Sequence, residues 1–216
     1  MNPRRAPRRL LGAGLAGVLL LGACAGPAAP DAPAGGNQPD DAPAATAPPT
    51  PAASGPVTAV ATVLQEGDGP PELCLGGVAE SLPPHCGGPE ITGWDWDAVE
   101  AESAQGTTWG IYAVTGTWDG ETFHLTEATA PPADGPALPD DPRLDPGNAG
   151  AADMPQPEAY ELQTEVFDHL GGLTGWVENG YVWVTVVYDD GSIQRYVDDR
   201  YGADTVAVQS ALRDVG

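Results

Sequence analysis

Residues 109–129 read WGIYAVTGTWDGETFHLTEAT, and this stretch decides how the first half of the folded chain is built. Apolar and polar residues alternate on both sides of Asp119-Gly120, a dipeptide suited to the positive φ values of a primed hairpin turn. The stretch predicts two strands, 109–118 and 121–129. A two-residue turn sets their register: Trp118 opposite Glu121, Gly116 opposite Phe123, Val114 opposite Leu125. Val114, Phe123 and Leu125 then face the core. The Thr117/Thr122, Thr115/His124 and Ala113/Thr126 pairs form the wetter face.

Upstream of the hairpin, residues 57–64 (VTAVATVL) read as a strand, and residues 73–75 and those around Ile91 suggest further short ones. Four or five short strands with a closing hairpin fit a small barrel-like β unit, the OB fold being one such architecture. Downstream, Leu162, Val166 and Leu170 recur at i, i+4 and i+8, which predicts a helix over 158–170 ended by Gly171-Gly172. Asn179-Gly180 marks a second hairpin, pairing Trp176 with Trp183 and Val177 with Val182. Residues 181–188 (YVWVTVVY) are apolar on both faces and should be a central strand. A helix over 192–201 carries Ile193, Tyr196, Val197 and Tyr201 as its stripe, with Gly202 as cap. A last strand, 204–212, completes a right-handed crossover. The expected fold class is α+β: a barrel-like β unit followed by a small α+β unit.

These elements occupy residues 57–130 and 158–216. Between them, 131–157 is rich in Pro, Gly, Ala and Asp, either a linker or, if the two units pack together, a long surface loop. Each unit alone is small for a stable core. Residues 24–56 hold alanine and proline and no large apolar side chain, so they cannot offset the entropy of ordering and read as a disordered linker.

Composition narrows the function classes. The chain has 31 acidic residues against 8 cationic ones, and every cation is an arginine. Arg4, Arg5, Arg8 and Arg9 lie in the first nine residues, which leaves four arginines for the rest. Such an excess of negative charge repels phosphate backbones, so no nucleic-acid partner is expected. Without lysine there is no Schiff base and no phosphate-loop lysine.

Those basic residues precede an apolar run at 10–23, LLGAGLAGVLLLGA, too short for a comfortable span and the right length for a signal peptide. It ends in Leu21-Gly22-Ala23-Cys24, which resembles the lipobox of bacterial lipoproteins. The resemblance implies that residues 1–23 are removed and that Cys24 is lipidated. The chain would then be anchored to the outer face of the cytoplasmic membrane. Cleavage after Ala25 would instead release a secreted chain. With Cys24 so used, Cys74 and Cys86 remain as a pair, read as a disulfide in an exported protein.

Three runs carry a second resemblance: Leu73-Cys74-Leu75-Gly76-Gly77, Pro83-Pro84-His85-Cys86-Gly87-Gly88-Pro89 and Gly93-Trp94-Asp95-Trp96. They resemble a group of secreted or lipid-anchored proteins of high-GC Gram-positive bacteria. The likeness extends through the hairpin and into the C-terminal tail. It supports the disulfide and the β fold and brings no activity with it.

Candidate sites are few. Trp94-Asp95-Trp96-Asp97, taken as a strand, puts both indoles on one face and both carboxylates on the other, which suits a sugar ring or simply a half-buried strand. His85, His124 and His169 are scattered, and zinc wants four ligands in paired spacings, so no metal is expected. Asp134, Asp140, Asp141, Asp145, Asn148 and Asp153 lack the alternation of a calcium loop. No serine sits in a nucleophile elbow and no carboxylate pair is identifiable by spacing, so no catalytic residue and no cofactor are expected. The leading expectation is a non-enzymatic binding or scaffolding lipoprotein of the cell envelope, meeting an envelope protein or glycan. The alternatives are an envelope glycan or polymer hydrolase using paired carboxylates, and a structural envelope component, either purely structural or stabilised by calcium.

Overall fold

The computed structural model describes residues 46–133, 140–151 and 154–215. The leader, Cys24, the linker up to residue 45, Asp134 and Asp153 lie outside the described residues. The barrel starts with β1 (Val57–Glu66), whose period-two pattern buries Val57, Ala61 and Val63. Thr58, Val60 and Thr62 alternate to the outer face. There follow β2 (Glu72–Cys74), β3 (Ile91–Thr92), β4 (Glu102–Ala104), β5 (Thr107–Trp118) and β6 (Phe123–Thr129). β1 pairs antiparallel with β5 and β2, β5 with β6, and β3 runs parallel to β6. The ring is nearly closed where β2 meets β3: Leu73 N donates to Pro89 O at 2.9 Å and Ile91 N to Pro71 O at 3.0 Å. The circuit β1–β2–β3–β6–β5–β1 is the small OB-like barrel that the strand pattern suggested.

The hairpin forms, with a different register. Trp118 pairs with Phe123, Thr117 with His124 and Gly116 with Leu125. A bulge between Thr115 and Gly116 then sets Thr115 opposite Glu127 and Val114 opposite Ala128. The cause is the turn. Asp119 Oδ1 accepts from the backbone N–H of both Glu121 and Thr122, at 2.9 and 2.7 Å. This Asx-type turn widens a two-residue loop to Asp119–Thr122. The widening moves the partners of Trp118 to Gly116 by two positions, and the bulge adds a third beyond Thr115; the core side chains keep their faces, with Val114 and Phe123 fully buried and Leu125 packed on them.

The C-terminal part follows its pattern closely. α1 (Gln156–Leu170) ends at Gly171 in the left-handed conformation. β7 (Thr174–Glu178) and β8 (Tyr181–Val186) pair Trp176 with Trp183 and Val177 with Val182. Asn179 and Gly180, at φ 49° and 73°, give the primed turn. α2 (Ser192–Tyr201) leads to β9 (Val206–Ser210), parallel to β8, which is therefore the central strand. One face of this sheet packs Val182, Val184 and Val186 against Val166 of α1 and Ile193 and Val197 of α2. The other face carries Tyr181, Trp183 and Ala207.

That second face is covered by part of the segment read as a linker or long loop. Two 3₁₀ turns, Pro142–Leu144 and Pro146–Asn148, lie across it. Leu144 packs on the Tyr181–Trp183 cluster. The Arg143 guanidinium sits 5.3 Å from the Trp183 ring centre and donates to Asp141, to Gln194 Oε1 and to Val208 O. The guanidinium in turn holds the Asp141 carboxyl below its usual range. Asp140, Asp141, Asp145 and Asn148 thus belong to a strap rather than a free loop. Asp145 Oδ1 caps its own turn and Asn148 Nδ2 donates to Pro142 O.

The described residues from 46 to 215 form one compact unit. After β9, Ala211 N and Leu212 N donate to Val186 O and Val187 O, and β10 (Arg213–Asp214) then crosses to pair with β1. Leu212 and Tyr188 are buried in the barrel core beside Val57, Trp118 and Phe123. At the other end, the last residues of the stretch read as disordered linker run along the hairpin. Ala53 N donates to Trp118 O at 2.9 Å, and Trp118 Nε1 to Pro51 O at 3.0 Å. Trp118 supplies the partners that a Pro/Ala composition gave no reason to expect.

Candidate ligand cleft

The Trp94-Asp95-Trp96-Asp97 run is not a strand. Gly93 turns the chain at φ 78°, and Trp96–Ala98 forms a 3₁₀ turn capped by Asp95, whose carboxylate accepts from Asp97 N at 3.0 Å. The alternation survives by another route: both indoles are half-buried and both carboxylates exposed. Trp94 meets Trp96 edge-on at 5.2 Å and Tyr112 at 4.9 Å, and all three rings join the barrel core cluster. Trp96 Nε1 donates to Gln65 Oε1, whereas Trp94 Nε1 is buried with no partner. Rings turned edge to face against a core do not offer the flat, open platform a sugar face needs.

Cys74 and Cys86 stand at disulfide distance, with Cα atoms 5.8 Å apart. His85 reaches only the exposed Glu66. His169 stacks on Tyr196 near the end of α1. His124 is the most connected histidine: Nε2 meets Asp119 Oδ2 at 2.9 Å and Nδ1 meets Thr92 Oγ1 at 2.8 Å. Carboxylate, imidazole and hydroxyl in line resemble a proton relay, yet all three are solvent-facing and none lines a cleft, so the set reads as a clip joining the hairpin turn to β3.

This clip makes one pH prediction. The Thr122 amide, then His124 and the Glu121 amide, hold the Asp119 carboxyl at about 2. A depressed carboxylate contributes stability above its unfolded pKa and loses it as pH falls through the folded value. The contribution is therefore whole above pH ~4 and gone below pH ~2. The melting temperature of the native chain should fall more steeply across that window than that of Asp119→Asn. Parallel curves would show that the turn carboxylate is not linked to folding.

A cleft able to hold a ligand lies on the outer face of β1. It measures about 610 Å³ and is walled by Thr58, Val60 and Thr62 of β1, Ile111 of β5, the Cys74–Val78 segment, and Thr185 with Gln209–Ala211 of the second sheet. Its size is in the range of small-molecule sites. No Asp or Glu lines it, in a chain with 31 of them. Its walls are methyls, hydroxyls and backbone, with Arg213 at one end. Among the described residues, no group of three or more His, Cys, Asp or Glu could hold a metal ion, and no helix is long and apolar enough to cross a membrane.

The cleft is absent from the sequence reading because it is made by divergence. β2 pairs with β1 at residues 62–64 and β10 at residues 57–58, both then leave it, and no local pattern in 57–64 records that. The chain is thus an α+β protein with a nearly closed β-barrel and a three-stranded α/β appendage clasped to it. No family model, no curated protein and no solved structure matches it.

Proposed function

We propose that this chain is a lipid-anchored protein of the cell envelope whose folded unit is a non-enzymatic binding module, with its ligand in the β1 cleft. The carrying observation is the carboxylate-free lining in so acidic a chain. Charge spread at random over the surface would put acids there too. A carboxylate-free cleft with mixed methyl and hydroxyl walls and Arg213 at one end favours a neutral ligand, because a cation would find no carboxylate partner and an anion would meet the field of the whole chain. Paired-carboxylate hydrolysis finds no pair in this cleft. The anchor rests on Leu21-Gly22-Ala23-Cys24 after an apolar run, and two or more acyl chains hold such a protein stably where one would not.

Ile111 is 58% exposed at the cleft wall, so Ile111→Glu should leave the fold intact and place a charge where a neutral ligand sits. The full chain should retain a subset of an array of envelope glycans and peptides. The variant should lose that binding at least about tenfold, with an unchanged melting temperature. An empty array, or a variant that binds as well as the parent, would remove the cleft from consideration. Mass spectrometry of the mature amino terminus should find a diacylglyceryl cysteine at Cys24; an unmodified chain beginning at Gly26 would remove the anchor.

A further inference from the structure

Asn179-Gly180 is the tip of the β7–β8 hairpin and also the anchor of the 142–148 strap. Asn179 Nδ2 donates to Arg143 O and to Asp145 O, both at 2.8 Å. Only the NH₂ end of an amide can meet two carbonyl oxygens. Gly150 N donates to Asn179 O at 2.9 Å, so the far end of the strap closes on the same turn. A Cβ on Gly150 would come within 2.4 Å of Gly180 O, which shows how closely the two backbones meet. The chain has four asparagines, Asn2, Asn37, Asn148 and Asn179, and only Asn179 precedes glycine. That order is chemically labile. Gly180 has no side chain to shield its backbone nitrogen, and a ring can close between that nitrogen and the Asn179 amide carbon.

We propose that Asn179 is a site of spontaneous covalent modification gated by the strap, and that the change locks the strap open. Gly180 N attacks Asn179 Cγ. The N–Cγ bond forms, the Cγ–Nδ2 bond breaks, and ammonia leaves with the proton of the Gly180 amide. Water then opens the cyclic imide at either carbonyl and gives aspartate or isoaspartate, so one water is consumed for each ammonia released. A docked strap holds this back. The leaving nitrogen is tied to two carbonyls, and ring closure takes Asn179 out of the left-handed turn it occupies at φ 49°. Local opening of the strap frees the amide. Once the product forms, a carboxylate faces the Arg143 and Asp145 carbonyls, acceptor against acceptor. Isoaspartate also adds an atom to the backbone of a two-residue turn. Leu144 and the Arg143 guanidinium then do not reseat on Tyr181 and Trp183, and that apolar face stays uncovered.

The full chain would be aged at mildly alkaline pH, native and in urea, with Asn179 conversion followed by peptide mass spectrometry. Asn148, which precedes Ala149, is the internal standard. The native chain should convert at least about tenfold more slowly than the unfolded one. Arg143→Ala loses the contacts to Trp183, Gln194 and Val208 and should convert at least about tenfold faster than the native parent. Equal rates in native and unfolded chains, or an Arg143→Ala rate equal to the parent's, would overturn the gating. Trypsin reads the strap, because the Arg143 side chain is held until the strap opens. Asn179→Asp supplies one product directly, and Asp-Gly is accepted in the same primed turn. It should be cut after Arg143 at least about tenfold faster than the parent, with unchanged far-ultraviolet circular dichroism. Parent chain that has aged, separated by its added charge, should be cut as fast, which tests the lock in a chain that folded with asparagine in place. A parent-like cutting rate in the aged chain would show that the strap reseats and that there is no lock.

Discussion

Replacing Trp183 by alanine should destabilise the protein by about 3–5 kcal/mol, the range for truncating a large buried aromatic. Trp183 is fully buried in the middle of β8. Its ring stacks on Trp176 at 5.3 Å with only 6° between planes, meets Tyr181 edge-on, and lies under the Arg143 guanidinium. Its Nε1 donates to Glu178 O at 3.0 Å. Truncation would leave a cavity under the 142–148 strap, remove the surface on which Arg143 rests, and lose the indole's hydrogen bond to Glu178 O. Trp176, half-exposed on β7, should cost much less when truncated, because solvent replaces part of what it loses. Urea unfolding of both variants gives the comparison. A Trp183 loss below about 1 kcal/mol would mean that the strap does not seal this face.

Leu212→Ala is the second large effect, expected at about 2–5 kcal/mol. Leu212 comes from the C-terminal part of the chain but is fully buried in the barrel core. Its N–H is held by Val187 O on the way from one sheet to the other. The variant should lower one shared transition, read alike by tryptophan fluorescence and far-ultraviolet circular dichroism, because the cavity opens in the barrel while the clasp belongs to the second sheet. Two separate transitions, with the barrel melting at its original temperature, would show that the clasp carries no coupling.

Both predictions turn on contacts between distant segments, and that is where sequence reading stopped. The local elements were legible: the Asn179-Gly180 register, the 192–201 helix and the central position of 181–186 follow from turn chemistry and apolar periodicity, which act over a few residues. The first hairpin was legible in its faces and not in its pairing. One aspartate side chain bonding two amides shifts a register by two, and the Asp-Gly dipeptide reads the same either way. Trp94 and Trp96 were singled out as a chemical-looking pair. They pack half-buried against the barrel core because Tyr112, on a strand chosen by tertiary pairing, stands against them. Arg143 was unremarkable in a Pro- and Asp-rich stretch, and only the Trp183 face gives it a place.

Taken alone, the sequence determined the element types, the two hairpins and the cysteine pairing. Hydrogen-bonding turns, period-two and period-3.6 burial, and composition are properties of adjacent residues. The folded chain decided how those elements meet: which strands border β1, where they part from it, and hence that Val60 lines a cleft. Two distant strands sharing one edge of β1 and parting from it is a matter of long-range packing, and no short window of residues contains it.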